Sequence, residues 1–277
     1  MGPLNRVLNR LVGYRSTRTF AEHTRGKVAL LHNSGFFSNC SALLMSVARA
    51  EVHPVHIDVT SSFTHFAEPG SSFDWNRYFS PPPGIIRGCP TRWPRSRVAK
   101  RLPHHSTYKL LDFPTITDIT DNYFQLSTFV QNRAEEIRMS HLPVPIDQAL
   151  VVCLRGTDKG TEVRQSPLDA YVRRAKKIME DNENLRVWIQ TDQTQIRDIL
   201  LDQLGPRSFS LNVLPVTDDS QVIHKSEVKI SKDAFSRDLL ATTWLMAQAH
   251  AVITYTGNVG YWIGIFRGNA KKLYQLR

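Results

Sequence analysis

The chain has 277 residues, of which 41% are hydrophobic and 22% charged; this excludes a disordered or fibrous polymer and suits one large domain or two of ordinary size. A formal charge of +10 and a pI near 9.7, spread along the chain rather than gathered in a tail, point to an anionic partner: a nucleotide, a nucleotide-sugar, nucleic acid or an anionic surface. Three widely spaced cysteines, Cys40, Cys89 and Cys153, with no C-x-x-C pair, argue against a zinc ribbon and read as free buried thiols in a reducing compartment.

In chain order, Leu4, Val7, Leu8, Leu11 and Val12 are spaced for one amphipathic helix among the basic residues of 1–25, with no secretory h-region behind them. Residues 27–32 (K-V-A-L-L-H) predict a short buried strand. It runs into a turn, 33–39, and an apolar helix over 40–50 capped by Ser38 or Asn39. A second strand over 52–59 completes a βαβ unit, whose helix N-terminus can hold a phosphate. Gly35 stands alone there, so the full G-x-G-x-x-G fingerprint is missing and a plain strand–helix turn is the competing explanation.

Residues 61–105 read as a long loop in which Trp75, Tyr78, Phe79 and Trp93 interleave with Arg87, Arg92, Arg95, Arg97, Lys100 and Arg101. Such a loop suits an acceptor saccharide, a peptide or stacked bases, or is merely solvated. Residues 106–148 predict helix in two pieces, one of them over 121–138, and Pro143 and Pro145 behind it place a domain boundary at 145/146.

The second half alternates. Strands are expected over 149–154, 186–190, 208–214 and 251–254. Helices are expected over 167–180, with Leu168, Tyr171, Ala175 and Ile178 inward, and over 193–204, with Ile196, Ile199 and Leu200 inward. Two more are expected over 237–249 and from 259 to 266. That pattern predicts a parallel sheet covered on both faces. The fold class expected is α/β, with two Rossmann-like domains, 1–145 and 146–277, facing across a cleft. Residues 239–266 carry no charge except His250, but their Thr, Gln, Gly and Asn content favours a core helix and strand over a membrane span.

Strand ends carry the chemistry. After the run 149–154 come Arg155, Gly156, Asp158, Lys159 and Glu162, two cations to grip a diphosphate and carboxylates of which Glu162 suits a general base. A solvated turn with its charges paired among themselves explains the same residues. Asp192 follows the next strand and suits either a ribose contact or a helix cap. Tyr255, Thr256, Gly257 and Asn258 follow the last, and the 35–39 turn, with Phe37, Ser38 and Asn39, would face them across the cleft. In an open α/β sheet these strand ends are where ligands bind.

The second half resembles the GDP-fucose-dependent core α1,6-fucosyltransferases and nodulation fucosyltransferases. The family's H-V-R-R-T-D-K followed by G-T-E is similar to C-L-R-G-T-D-K-G-T-E from Cys153 to Glu162, and its A-T-D-D to Q-T-D-Q from Gln190. Its S-Q-A-D-F-L-V-C-T-F-S-S resembles the stretch from Ala247 through Gly257. The similarity covers about 149–266. It implies an inverting, metal-independent glycosyltransferase without a cofactor, moving fucose from GDP-fucose to a glycan hydroxyl. Arg155 would hold the β-phosphate and Glu162 would be the base, with Lys159 beside it. Backbone at Gly257 and Asn258 would meet the α-phosphate, and backbone of the 35–38 turn the β-phosphate. Asp238 and Thr242 fall at the guanine reader. The family's His is Cys153, its second Arg is Gly156, and its acidic guanine reader is Thr242. Its membrane anchor and C-terminal accessory domain have no counterpart, which implies a cytoplasmic bacterial or viral protein with no transmembrane segment. Two other functions fit: a nucleic-acid-binding module, suggested by the charge though no nucleic-acid motif occurs, and a non-catalytic nucleotide-sugar-binding relative, suggested by the three departures.

Overall fold

The computed structural model describes residues 21–24, 26–50, 53–80, 107–156, 166–218 and 231–277. The fold is α/β, with two sheets among those residues.

The smaller sheet has three strands, β1 (Ala21–Thr24), β2 (Lys27–Leu30) and β3 (His56–Asp58). β1 runs antiparallel to β2, and β3 pairs parallel with β2 after crossing through α1 (Phe36–Arg49), the expected βαβ unit. Helix α1 begins at Phe36, four residues before the expected start, and its N-cap is Gly35 rather than Ser38 or Asn39. The cause is local. The Asn39 side chain turns back on Ser34, accepting its N–H at 2.8 Å and donating to its carbonyl at 3.3 Å. Phe36 and Phe37 are thereby buried on the helix's first turn.

The first part of the expected loop is core. Phe63, Phe66 and Phe73 and the short helix α2 (Trp75–Tyr78) bury their rings around Phe36, with Trp75 stacked on Phe79 at 4.2 Å. These aromatics are packed, not offered to a base or sugar. The basic run around Trp93, like the helix expected in the first twenty residues, lies outside the described residues. The two helical pieces expected over 106–148 are α3 (Phe113–Tyr123) and α4 (Thr128–Ser140), with the break inside the stretch 121–138 expected as one of them. Between them the chain extends so that Leu126 bridges Phe79, and Ser80 and Ser127 exchange backbone bonds with Gln125 and Tyr78.

The larger sheet is parallel throughout, in the order β6-β5-β4-β7-β8. Its strands are β4 (Ala149–Cys153), β5 (Arg186–Gln190), β6 (Ser208–Ser210), β7 (Ala251–Tyr255) and β8 (Leu273–Leu276). The central strands β4 and β7 are buried at every position, as a sheet covered on both faces requires. Helices α5 (Leu168–Glu180) and α6 (Thr194–Leu204) carry the chain outward from β4; α7 (Lys232–Gln248) brings it back to β7, and α8 (Asn258–Arg267) leads on to β8. α5 packs beside α6, and α7 beside α8. The direction of winding therefore reverses between β4 and β7. Ile199 of α6, expected inward, is 42% exposed; Leu200 carries the burial instead.

One continuous core joins the two sheets. α4 packs on α7, and α1 and α3 on α8. Arg77 and Tyr78 both bond Asp233 at the start of α7, and Arg133 of α4 grips Asp238 with two bonds of 2.9 and 3.0 Å. Among the described residues no helix is long and apolar enough to cross a membrane.

Candidate functional site

The strand order reverses between β4 and β7, and in sheets of this kind the carboxyl strand ends at such a reversal form the crevice where ligands enter. β4 delivers Arg155 and Gly156 to it. Both are fixed by Asp192 at the end of β5: its carboxylate accepts the Gly156 N–H at 2.7 Å and pairs with the Arg155 guanidinium at 3.3 Å. Asp192 is thus a β4–β5 clamp and not a helix cap, since Gln193 holds the cap position of α6. Arg155 keeps about a fifth of its side chain exposed. Gly156 lies against the ends of two flexible side chains. A Cβ there would lie 2.2 Å from Oε1 of Gln193 and 2.4 Å from Cδ1 of Ile196, so a larger residue would require those two side-chain ends to move aside. Asp158, Lys159 and Glu162 lie outside the described residues.

β7 delivers Tyr255, Thr256, Gly257 and Asn258. The Tyr255 ring is buried and lies where a Gly257 side chain would go, 2.4 Å from its Cβ position. The turn is held by a residue the sequence did not mark. The Tyr108 hydroxyl accepts the Gly257 N–H at 3.1 Å and faces the carbonyls of Tyr255 and Gly257 at 3.0 and 2.9 Å, donating to one of them. Burial pushes the Tyr108 and Tyr255 phenols above their ordinary pKa, so the Tyr108 hydroxyl keeps its proton as a donor. Gln275 of β8 completes the frame, accepting the Tyr108 N–H at 3.0 Å and donating to the Thr256 hydroxyl at 2.9 Å. Only tertiary structure brings Tyr108 and Gln275 here, so neither carried a local sequence signal.

The 33–35 turn approaches from the other sheet. Gly35 caps α1 with no side-chain bond to the helix, no acidic residue stands in the first turn, and open space surrounds its Cβ position. Ser38 bonds His32 at 3.0 Å. The first turns of α1 and α8 touch: Phe37 stacks on Trp262 at 5.8 Å, and the Ser41 hydroxyl accepts the Trp262 indole N–H at 2.9 Å and faces Asn258 Oδ1 at 3.1 Å. Gly257 likewise caps α8 without a side-chain bond. The starts of two helices, each N-terminus a partial positive charge, are thus joined by side chains, that of α8 directly after β7.

Asp238 and Thr242 lie on α7, and Cys153 ends β4. Both oxygens of Asp238 are engaged by Arg133, and Arg237 adds a third bond at 2.9 Å. Thr242 is fully buried on α7. Cys153 is buried, and burial together with the nearby Asp192 carboxylate pushes its thiol up to about 12; it stays protonated and inert at neutral pH. Among the described residues no group of three or more His, Cys, Asp or Glu side chains could hold a metal ion.

The sequence matches no family model and no curated protein. Solved structures of the fucosyltransferase NodZ are similar. The fucosyltransferase NodZ from Bradyrhizobium aligns with a TM-score of 0.49 at 15% identity, over 82% of this chain and 86% of that one. NodZ α-1,6-fucosyltransferase co-crystallized with GDP aligns at 0.48 and 14%, over 90% and 91%. The same enzyme soaked with GDP-fucose aligns at 0.43 and 12%, over 83% and 86%. At these scores the likeness gives no residue a role.

Proposed function

We propose that the chain is an inverting, metal-independent glycosyltransferase that takes a sugar from a nucleotide diphosphate, with GDP-fucose the donor implied by the sequence motif, and passes it to a glycan hydroxyl. The observation that supports this is that Arg155 follows β4 and the α8 N-terminus follows β7, the strands on either side of the reversal, while α1 packs on α8 through Ser41 and Asn258. In this proposal all three offer positive potential to one ligand, and a diphosphate is a common ligand for such a set.

In this reaction Glu162 takes the proton of the acceptor hydroxyl. The acceptor oxygen bonds the anomeric carbon from the face opposite the diphosphate. The bond from that carbon to the β-phosphate oxygen breaks, and its electron pair leaves with the nucleoside diphosphate. Charge grows on the β-phosphate, where Arg155 and the two helix ends stabilise it more than they stabilise the bound donor. Lys159 stands near Glu162 in sequence and Asp158 on the donor side. The Asp192 clamp keeps Arg155 aimed and leaves the Gly156 backbone fixed. The domain division at 145/146, with acceptor on the N-terminal side, belongs to the same proposal.

A thermal-shift panel of nucleotides and nucleotide-sugars without added metal tests it. GDP and GDP-fucose should raise the melting temperature, with other bases giving less. A panel in which no nucleoside diphosphate has any effect overturns the proposal. Binding without transfer or donor hydrolysis would leave a non-catalytic donor-binding protein in its place.

A further inference from the structure

A second cationic site lies on the other side of Gln275. Helix α5 buries one face through Tyr171, Val172, Ala175 and Met179. Ala170, Arg173, Arg174 and Lys177, at helical spacing, form a stripe beside it. A charged outer face is ordinary for such a helix. This one forms one wall of an open cavity of about 370 Å³, whose other lining residues are Lys109, Tyr274, Gln275 and Leu276. The Arg174 guanidinium lies 4.1 Å above the Tyr274 ring, which holds it in place.

The lining is one-sided in its chemistry. It contains four cations and no carboxylate. None of the four is ion-paired among the described residues. The only side-chain amide, that of Gln275, has its oxygen on Tyr108 N–H and its nitrogen on the Thr256 hydroxyl. The side chains therefore offer donors and positive charge but little to accept a hydrogen bond from a sugar hydroxyl or read a base edge. One face of the only ring is covered by Arg174. The volume suits a small molecule rather than a length of polymer.

We infer that this cavity, formed by Lys109, Arg173, Arg174, Lys177 and Tyr274, binds a small anion bearing two or more phosphate groups, at a site separate from the β4–β7 crevice. Arg and Lys together fit such a ligand, the guanidinium groups as planar forks and the ammonium groups as adaptable point charges. Through Gln275 the occupied cavity shares a hydrogen-bonded frame with the turn that ends β7.

The test is calorimetric titration of the full chain with inorganic tripolyphosphate in 150 mM NaCl, using wild type, Arg173→Ser/Lys177→Ser, Lys109→Ser, Lys176→Ser and Arg155→Ala. Lys176 is exposed on the same helix but outside the cavity lining, so it controls for net charge. The double variant should lose at least tenfold in affinity for the cavity and Lys109→Ser several-fold, while Lys176→Ser stays within twofold and Arg155→Ala removes only such binding as the β4–β7 crevice adds. Arg173, Lys177 and Lys109 are exposed, and unchanged circular dichroism and melting temperature would confirm that their variants fold. Equal losses with Lys176→Ser would mean a diffuse charge effect and overturn the site. So would a loss confined to Arg155→Ala, no binding by wild type, or binding of a dT12 oligonucleotide with none of tripolyphosphate. Because Arg155→Ala reports the crevice and the double variant the cavity, failure of one site is distinguishable from failure of the other.

Discussion

Two arginine–carboxylate contacts with the same chemistry have different consequences. Arg133 and Asp238 are each about seven-eighths buried and bonded through both oxygens, which leaves the carboxylate little freedom for a ligand. Arg155 and Asp192 sit 3.3 Å apart at the mouth of a crevice, and Arg155 retains exposure with which to meet a second anion. Truncating Arg155 to Ala should weaken GDP by roughly 1.5–3 kcal/mol, the worth of a hydrogen bond to a charged group, and isothermal titration would measure it. Glu162→Gln removes the base and keeps the shape, so transfer should vanish while GDP affinity changes by no more than a few-fold. Near-normal turnover would take Glu162 out of the mechanism. Gly35 supplies a separate probe. Its φ of −60° is open to any residue and nothing lies within 4 Å of its Cβ position, so Gly35→Ala should leave stability within about 0.5 kcal/mol. If a diphosphate sits on that turn, the added methyl should nevertheless weaken GDP, a separation of stability from affinity that paired denaturation and titration would reveal.

At the scale of elements, what the sequence made legible is the alternation of apolar runs with helical stripes. The all-parallel sheet follows from it, because strands such as 149–153 and 251–255 have no polar face to turn outward. Edges were harder. β8, at the end of the sheet, is only half buried, and β6 shrinks to three residues, so neither carries a strong periodic signal. The candidate site divides in the same way. Arg155, Gly156 and Gly257 announce themselves because each ends a strand, whereas Tyr108 was invisible beside a basic loop until the fold placed its hydroxyl under the β7–α8 turn. Gly260 belongs to that turn as well. A Cβ there would lie 2.7 Å from the Tyr255 carbonyl and 3.0 Å from the Tyr108 hydroxyl, so α8 approaches β7 as closely as a bare backbone allows. Tyr108→Phe keeps the ring and removes the oxygen, leaving the buried Gly257 N–H without its acceptor. Chemical denaturation should register a loss of about 1–3 kcal/mol, the cost of an unsatisfied buried donor. Unchanged stability would mean that the turn holds its shape without the clamp.

Across the whole molecule, the question is how the two sheets are tied. Among the described residues α7 and α8 form a common floor on which α1, α3 and α4 rest, and buried side chains run without a break from one sheet to the other. Two charged ties pin that floor: Arg77 with Asp233 at the start of α7, and Arg133 with Asp238 one turn later. Burial works against the Asp233 carboxyl, but bonds from Arg77 and Tyr78 outweigh it and hold the group below its ordinary pKa. Its contribution to stability is therefore complete above the ordinary carboxylate range and is lost as pH falls below it. The Asp238 tie is the better one to break, because it is the more buried. Asp238→Asn leaves Arg133 in place with Glu136 as its remaining partner at 2.7 Å. Removing one partner of a buried pair costs about 3–5 kcal/mol, and the surviving contact should put this variant near the lower end. With a shared core, the loss should appear as a lower midpoint of one cooperative unfolding transition seen alike by tryptophan fluorescence and circular dichroism. Two separated transitions would show that the halves are only loosely joined, and a loss of GDP affinity larger than the loss of stability explains would return Asp238 to the donor site.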